Sequence, residues 1–261
     1  MCTKIPALPG MHPAVQRVSF LVGTWRGEGR GDYPTIEPFR YVEEVEFVSM
    51  GKPFLVYSQR TFSPSGVPMH TETGYLRCPP TKPSAVELVV ADPTGVTTVF
   101  EGTVKERTLT FESTSVSLTS TAKPVKSITR SLALQDGWLI CDASMAAMGK
   151  PMEHHLHAEL IRPGDARSRS GEVLVDIRGA NEIAAGMIPG AKHIPMNVLL
   201  ADAEQCNALP HERLLIYCQG GMRSERTLAK LRELGFGGRV RHVEGGYQAW
   251  AAAHPRSEET E

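Results

Sequence analysis

At 261 residues, with 41% hydrophobic and 22% charged side chains and a formal net charge of −1, the chain has room for one large domain or two ordinary ones. The near-neutral charge excludes a general attraction to nucleic acid or acidic membranes, and no apolar run approaches the roughly 20 residues of a membrane helix. Five scattered cysteines without a CxxC pair (Cys2, Cys78, Cys141, Cys206 and Cys218) exclude a disulfide framework or zinc ribbon and point to a reducing cytoplasm.

Met1 to Pro13 lacks the basic-then-apolar pattern of a signal peptide. Residues 14–21 predict one or two helical turns. Short runs rich in Val, Thr, Phe and Tyr follow at 40–48, 53–61, 71–77, 85–91, 97–104, 108–115, 126–134, 137–145 and 152–162. Turn signals such as Ser65-Gly66, Pro93-Thr94-Gly95 and Asp136-Gly137 separate them. Many short strands at about ten-residue spacing predict an antiparallel barrel or sandwich.

The last of these runs, Pro151 to Arg162, holds three of the nine histidines within four positions. Strict alternation puts His154 with Leu156, Ala158 and Leu160 on one face, and His155 with His157 and Glu159 on the other. A solid barrel would turn the apolar face inward and favour His154 as an interior ligand. A cavity-bearing barrel with a polar inner face would favour His155. Periodicity leaves both open.

Residues 163–171 (Pro163-Gly164-Asp165-Ala166-Arg167-Ser168-Arg169-Ser170-Gly171) have the composition of a linker. Beyond it Val173–Ile177, Gly190–Ile194, Arg213–Tyr217 and Arg239–Val243 predict strands, and Ser224–Leu234 a helix stopped by Gly235. Strands alternating with helices predict a mainly parallel sheet. Leu215 to Ser224 carries the chemistry: Cys218 ends a buried strand, Gly220 and Gly221 follow, and a helix begins at Arg223 or Ser224. Glycines let backbone N–H groups curl towards one point, and a helix N-terminus adds positive potential there. Both lower a thiol pKa and stabilise an anion on sulfur. Phosphatases and arsenate reductases also place an arginine after such a cysteine, but need five intervening residues to wrap a tetrahedral oxyanion; the four here suit a sulfur atom. A tail over 255–261, acidic from Ser257 to Glu261, reads as disordered.

Two family resemblances sharpen these readings. Gly23-Thr24-Trp25-Arg26-Gly27-Glu28-Gly29, Tyr33-Pro34-Thr35-Ile36, Phe39-Arg40-Tyr41, Gly51-Lys52-Pro53, Pro68 to Tyr75 and His155-Leu156-His157-Ala158 resemble nitrobindin, a member of the wider calycin group. The resemblance implies a ten-stranded antiparallel β-barrel over residues 1–162, with haem b at one mouth. It implies a ferric iron held by His155, with Thr35 and His70 near the haem and Lys126 reaching a propionate. It also implies an open sixth position, no second histidine or methionine being evidently placed to fill it. Such a centre takes NO or peroxynitrite and isomerises peroxynitrite to nitrate. Trp25 would close the far end of the barrel, with Arg162 stacked on it.

Asp176-Ile177-Arg178, Glu182, Gly186 to Ala191, His193-Ile194-Pro195, Cys218 to Ser224, Gly235-Phe236 and Glu244 to Trp250 resemble a rhodanese domain, here a small α/β unit over residues 172–254. The resemblance implies that Cys218 carries sulfane sulfur as a persulfide between a donor such as thiosulfate and a thiol acceptor. Gln219, Gly220, Gly221, Met222 and Ser224 would supply the loop's N–H donors, and Arg223 would help bind the anionic donor. Asp176 and Arg178 would brace the sheet edge and loop. Met187 stands where this family often has histidine, and the usual N-terminal strand and helix are missing or replaced by the linker. The combined reading is a two-domain cytoplasmic protein with no nucleic-acid or membrane partner, and with a homodimer among its allowed states. The competing reading makes the barrel a non-catalytic carrier of NO, haem or an apolar ligand and leaves only the second domain as an enzyme.

Overall fold

The computed structural model describes residues 10–168, 171–206, 213–236 and 240–254. Cys2, residues 169–170 of the linker and the 255–261 tail lie outside them, as do the side chains of 204–206. The chain divides into two compact units, Met1–Ile161 and Arg162–Glu261.

The first unit is a closed barrel of ten antiparallel strands. They are β1 (Gly23–Tyr33), β2 (Ile36–Ser49), β3 (Phe54–Phe62), β4 (Pro68–Arg77), β5 (Ala85–Ala91), β6 (Val96–Lys105), β7 (Thr108–Leu118), β8 (Val125–Gln135), β9 (Trp138–Ala147) and β10 (Glu153–Ile161). Each pairs with its neighbour in sequence, and β1 closes the ring on β10. The sandwich alternative is thereby ruled out.

The glycines of the first strand make that closure sterically feasible. A Cβ on Gly27 would lie 2.0 Å from the carbonyl oxygen of Glu159 on β10, and one on Gly29 would lie 2.3 Å from the Tyr41 ring. β1 therefore takes aromatic rings from β2 onto its surface where its own side chains would stand. A 3-10 segment, Pro13–Leu21, covers one end and buries Val15, Val18 and Leu21. Trp25, 1% exposed, donates from Nε1 to the Leu21 carbonyl at 2.7 Å.

Alternation along each strand grades the interior. Near the covered end the inner face is apolar: Phe47, Leu55, Leu76, Phe100, Leu109, Leu139 and Leu160 are all buried. One step further up, β2, β3, β4 and β8 contribute Glu43, Tyr57, Gln59, Glu72 and Arg130. The Arg130 guanidinium grips both oxygens of Glu72, which also accepts from the Tyr57 hydroxyl. Burial opposes ionisation of Glu72, but Arg130 and the two hydrogen bonds outweigh it and hold its pKa below the usual value. Glu43 accepts from Gln59 Nε2 at 3.0 Å, and burial, with the Glu72 charge adding to it, pushes its pKa up to about 7. Above this waist the barrel is open.

The second unit is a parallel sheet in the order β12-β11-β13-β14, from Glu172–Asp176 (β11), Lys192–His193 (β12), Arg213–Tyr217 (β13) and Val240–His242 (β14). Helices α1 (Ala180–Ile183), α2 (Met196–Cys206), α3 (Met222–Glu233) and α4 (Gly246–Ala253) complete it. Apolar residues face both sides: Val175, Ile216 and Val240 join Leu228 and Leu231, while Leu174, Leu215 and Tyr217 join Ile188 and Val243. Helix α3 starts two residues before the predicted Ser224, because Gly221 at φ +92° turns the chain directly into it. The segment read as a linker is tied to this unit. Gly164 N–H donates to Glu244 O at 2.8 Å, and Ala166 packs against the Leu215 cluster.

Two outcomes test this account. Gly27→Ala forces a methyl into the β10 backbone and should cost about 2–4 kcal/mol of barrel stability in denaturant melts. Glu43 is raised in the folded state, so its contribution is fully present below the unfolded carboxyl pKa and is lost as pH rises through about 7. Glu43→Gln should therefore match the parent in acid and exceed it by roughly 1–3 kcal/mol in mildly alkaline buffer.

Candidate functional sites

The open end of the barrel holds a cavity of about 710 Å³, within the range of sites for sizeable small molecules. Its walls are mainly apolar, with Ile36, Phe39, Val96, Val125, Ile128 and Leu156 among them, and the ionic waist forms its floor. His155, Thr35 and His70, predicted from widely separated segments, all line it. Lys126 does not. It is exposed where the β8–β9 register slips between Val125 and Ser127, and Lys123 stands in the cavity wall instead.

A second slip changes which histidine faces the interior. The β10–β9 register shifts between His154 and Leu156, so His155 sits at a bulge and shares the cavity side with Leu156. His154 and His157 both turn to Asp142 Oδ1, at 3.4 and 2.8 Å. His155 instead turns into the cavity wall beside Tyr33 and Phe39, edge-on to both at centroid distances of 5.4 and 6.4 Å. The Tyr33 hydroxyl is fixed on β9 by donating to Ala147 O and accepting from Ala147 N.

His155 Nδ1 lies 3.0 Å from the carbonyl oxygen of Asp32. A carbonyl only accepts, so Nδ1 carries the hydrogen and Nε2 the lone pair. Burial, opposed by the Asp32 hydrogen bond, holds the pKa below the ordinary histidine value and keeps the ring neutral. This is the state of a metal-binding imidazole with its second nitrogen held by the protein. Among the described residues no three His, Cys, Asp or Glu side chains converge on one point. A mainly apolar chamber with the neutral imidazole of His155 in its wall fits haem, and His155 is the residue that could hold it. Met69, Met145 and Met148 also line the cavity. They come from β4, β9 and the turn after β9.

In the second unit the residues after β13 form a cradle around Cys218, which is 1% exposed. Ser224 approaches its Sγ with the backbone N–H at 3.4 Å and the hydroxyl at 3.6 Å. Burial raises the thiol pKa, but hydrogen bonds from Ser224 and from the Gly221 and Arg223 backbone bring it below the ordinary value. Gly246 is part of the same packing: a Cβ there would lie 2.3 Å from the Cys218 carbonyl. The Arg223 guanidinium is held in a two-pronged pair with Glu182 of α1, which lowers the Glu182 pKa to about 2. Arg178 is tied more deeply. It pairs with Asp176, donates to Gly186 O at 2.6 Å and to Gln219 Oε1 at 2.9 Å, and lies 4.2 Å from the Tyr247 ring centroid. Asp176 and Arg178, expected as braces, thus anchor the first loop residue after the cysteine.

Residues 14–162 match the family described as the THAP4-like, heme-binding beta-barrel domain, and residues 161–253 match the rhodanese-like domain. The second match takes in the segment read as a linker. Over 157 residues the chain is 46% identical to peroxynitrite isomerase 2 of Mycobacterium ulcerans, covering 58% of this chain and 96% of that protein. It is 46% identical over 157 residues to the peroxynitrite isomerase of Nocardia farcinica, covering 58% and 92%. The crystal structure of Rv2717c from M. tuberculosis superposes with a TM-score of 0.55 at 43% identity, covering 58% of this chain and 98% of that one. The chain therefore belongs to the THAP4-like, heme-binding β-barrel family, with a rhodanese-like domain joined behind the barrel.

Proposed function

We propose that the barrel binds ferric haem b through His155, takes NO, and isomerises peroxynitrite to nitrate, and that the second unit moves sulfane sulfur on Cys218. The observation that carries the first half is the His155 tautomer, fixed by the Asp32 carbonyl so that Nε2 keeps its lone pair in the wall of an apolar chamber. The relatives named peroxynitrite isomerase support the choice of reaction. When bound, ferric haem supplies a Lewis acid for the peroxide oxygen. The chain's own share is to orient the imidazole, exclude water with Phe39, Ile36 and Val125, and confine the fragments so that they recombine. Thr35 and His70 are polar wall residues of that chamber.

In the second half the Cys218 thiolate attacks the outer sulfur of thiosulfate. A Cys–S bond forms, the donor's S–S bond breaks, and sulfite leaves with the electron pair. The added sulfur stands about 2 Å further out, which lifts the reactive atom from a buried position towards the rim. The N–H groups that stabilise the thiolate also face the persulfide anion. The rhodanese-like family match supports this reading.

Reconstitution with hemin tests the barrel. His155→Ala should lose most of the Soret absorbance while His154→Ala and His157→Ala retain it, and the loaded parent should convert added peroxynitrite to nitrate. Loss on His154→Ala instead would make His154 the ligand, and a loaded protein without turnover would return the barrel to the carrier reading. For the second unit, thiosulfate should add one sulfur, roughly 32 Da, to Cys218, and Cys218→Ser should abolish sulfurtransfer without changing haem uptake.

A further inference from the structure

We propose that His242 is the proton store of Cys218, acting through the hydroxyl of Ser224. The inference rests on Cys218 being the sulfur carrier and adds a residue to that site. It stands on a chain of three contacts across three elements. Cys218 Sγ lies 3.6 Å from Ser224 Oγ, Ser224 Oγ lies 3.4 Å from His242 Nδ1, and His242 Nε2 lies 3.5 Å from Glu244 Oε2.

Register places His242 there. β14 runs parallel to β13 with His242 opposite Ile216, so His242 shares a sheet face with Ile216 and with Cys218 two residues on. Val240, on the same face, joins the apolar cluster with Ile216, Leu228 and Leu231. The next position on that face is occupied by an imidazole. Its side chain is 16% exposed and meets the first turn of α3.

The Ser224 hydroxyl has one hydrogen and three acceptors in reach: Gly221 O at 2.8 Å, Sγ and Nδ1. With Sγ protonated, Nδ1 can take the hydroxyl hydrogen. When the thiol proton passes to Oγ and the hydroxyl proton passes to Nδ1, the pair becomes thiolate and imidazolium with no proton exchanged with solvent. Imidazolium Nδ1–H then donates to Oγ, Nε2–H faces Glu244, and the hydroxyl hydrogen is free to point at sulfur. In the return direction an acceptor thiolate takes the outer sulfur. The bond from that sulfur to Sγ breaks with its electrons staying on Sγ, and the stored proton returns through Ser224 to the departing thiolate.

The charged groups around this chain are Glu244 beside His242, Arg223 with its partner Glu182 beside the loop, and Arg241, which pairs with Glu172. His242 touches no substrate in this scheme and is a positioning residue. Its removal should change when Cys218 ionises and leave the loop otherwise intact.

The test uses the full chain and the rate of iodoacetamide alkylation of Cys218, read by peptide mass from about pH 5 to about pH 9. His242→Asn keeps an amide near the Nδ1 position but cannot hold the proton. It should slow alkylation on the order of tenfold near neutral pH and reach the parent's rate in alkali, since only the thiolate fraction changes. Glu244→Gln should shift the profile the same way by less, and it carries the test if His242→Asn fails to fold. Coincident profiles for the parent and the folded variant overturn the proposal, whether or not thiosulfate loads sulfur. Separated profiles with no sulfur gained on Cys218 support the relay and remove the sulfur-carrier reading instead.

Discussion

Ten strands closed into a barrel enclose more space than one layer of inward side chains can fill, and the buried pair of Glu72 and Arg130 sets where filling stops. Below the pair the interior is a packed apolar plug from Phe47 to Leu160. Above it the space stays open, with Tyr33, Phe39, Met69 and Leu156 in its wall. Charges buried this deeply must be matched, because either partner alone would cost several kcal/mol. Both Glu72 oxygens are engaged by Arg130 and one also by Tyr57. The waist therefore closes the cavity floor with its Glu72 charge matched by Arg130, while Arg130 Nε and Gln59 Oε1 find no hydrogen-bond partner among the described residues, and the imidazole of His155 stands in the wall of the cavity above that floor.

That imidazole owes its position to local sterics in β1 and β10 together. Glycines in β1 let Phe39 and Tyr41 lie flat across the strand, since a Cβ at Gly31 would fall 2.2 Å from the Phe39 ring. The end of β1 brings Asp32 and Tyr33 to the mouth, where one supplies the carbonyl for Nδ1 and the other the ring beside it. The glycine-rich run and the histidine run are thus two halves of one site.

Much of this was readable in the residues. The strand runs predicted from β-branched and aromatic content fall on nine of the ten barrel strands, and Ala85–Ala91 coincides with β5. The cradle of Cys218 follows from two glycines and a helix start, all local features. Effects that depend on pairing register were hidden. The bulge at His155 and the slip at Lys126 change which way a side chain points, and a period of two carries no record of them. The partners of Arg178 were equally out of reach, because Gln219 lies 41 positions away and meets it only once β11 and β13 are side by side. The same holds for Ser224 and His242, which come from α3 and β14.

Arg178 has a kinetic consequence. Its guanidinium joins Asp176 at the end of β11, the Gly186 carbonyl after α1 and the Gln219 amide at the start of the loop, under the Tyr247 ring of α4. The two central strands are five residues each, and a pair of strands is marginal without further packing. With one buried cation bridging four segments, the loop has no low-energy way to open alone. Its amides should exchange with solvent at the pace of the whole unit's unfolding, not of a surface turn. Cys218 would then meet small anions and thiols through the rim while larger oxidants wait for an event as rare as global opening.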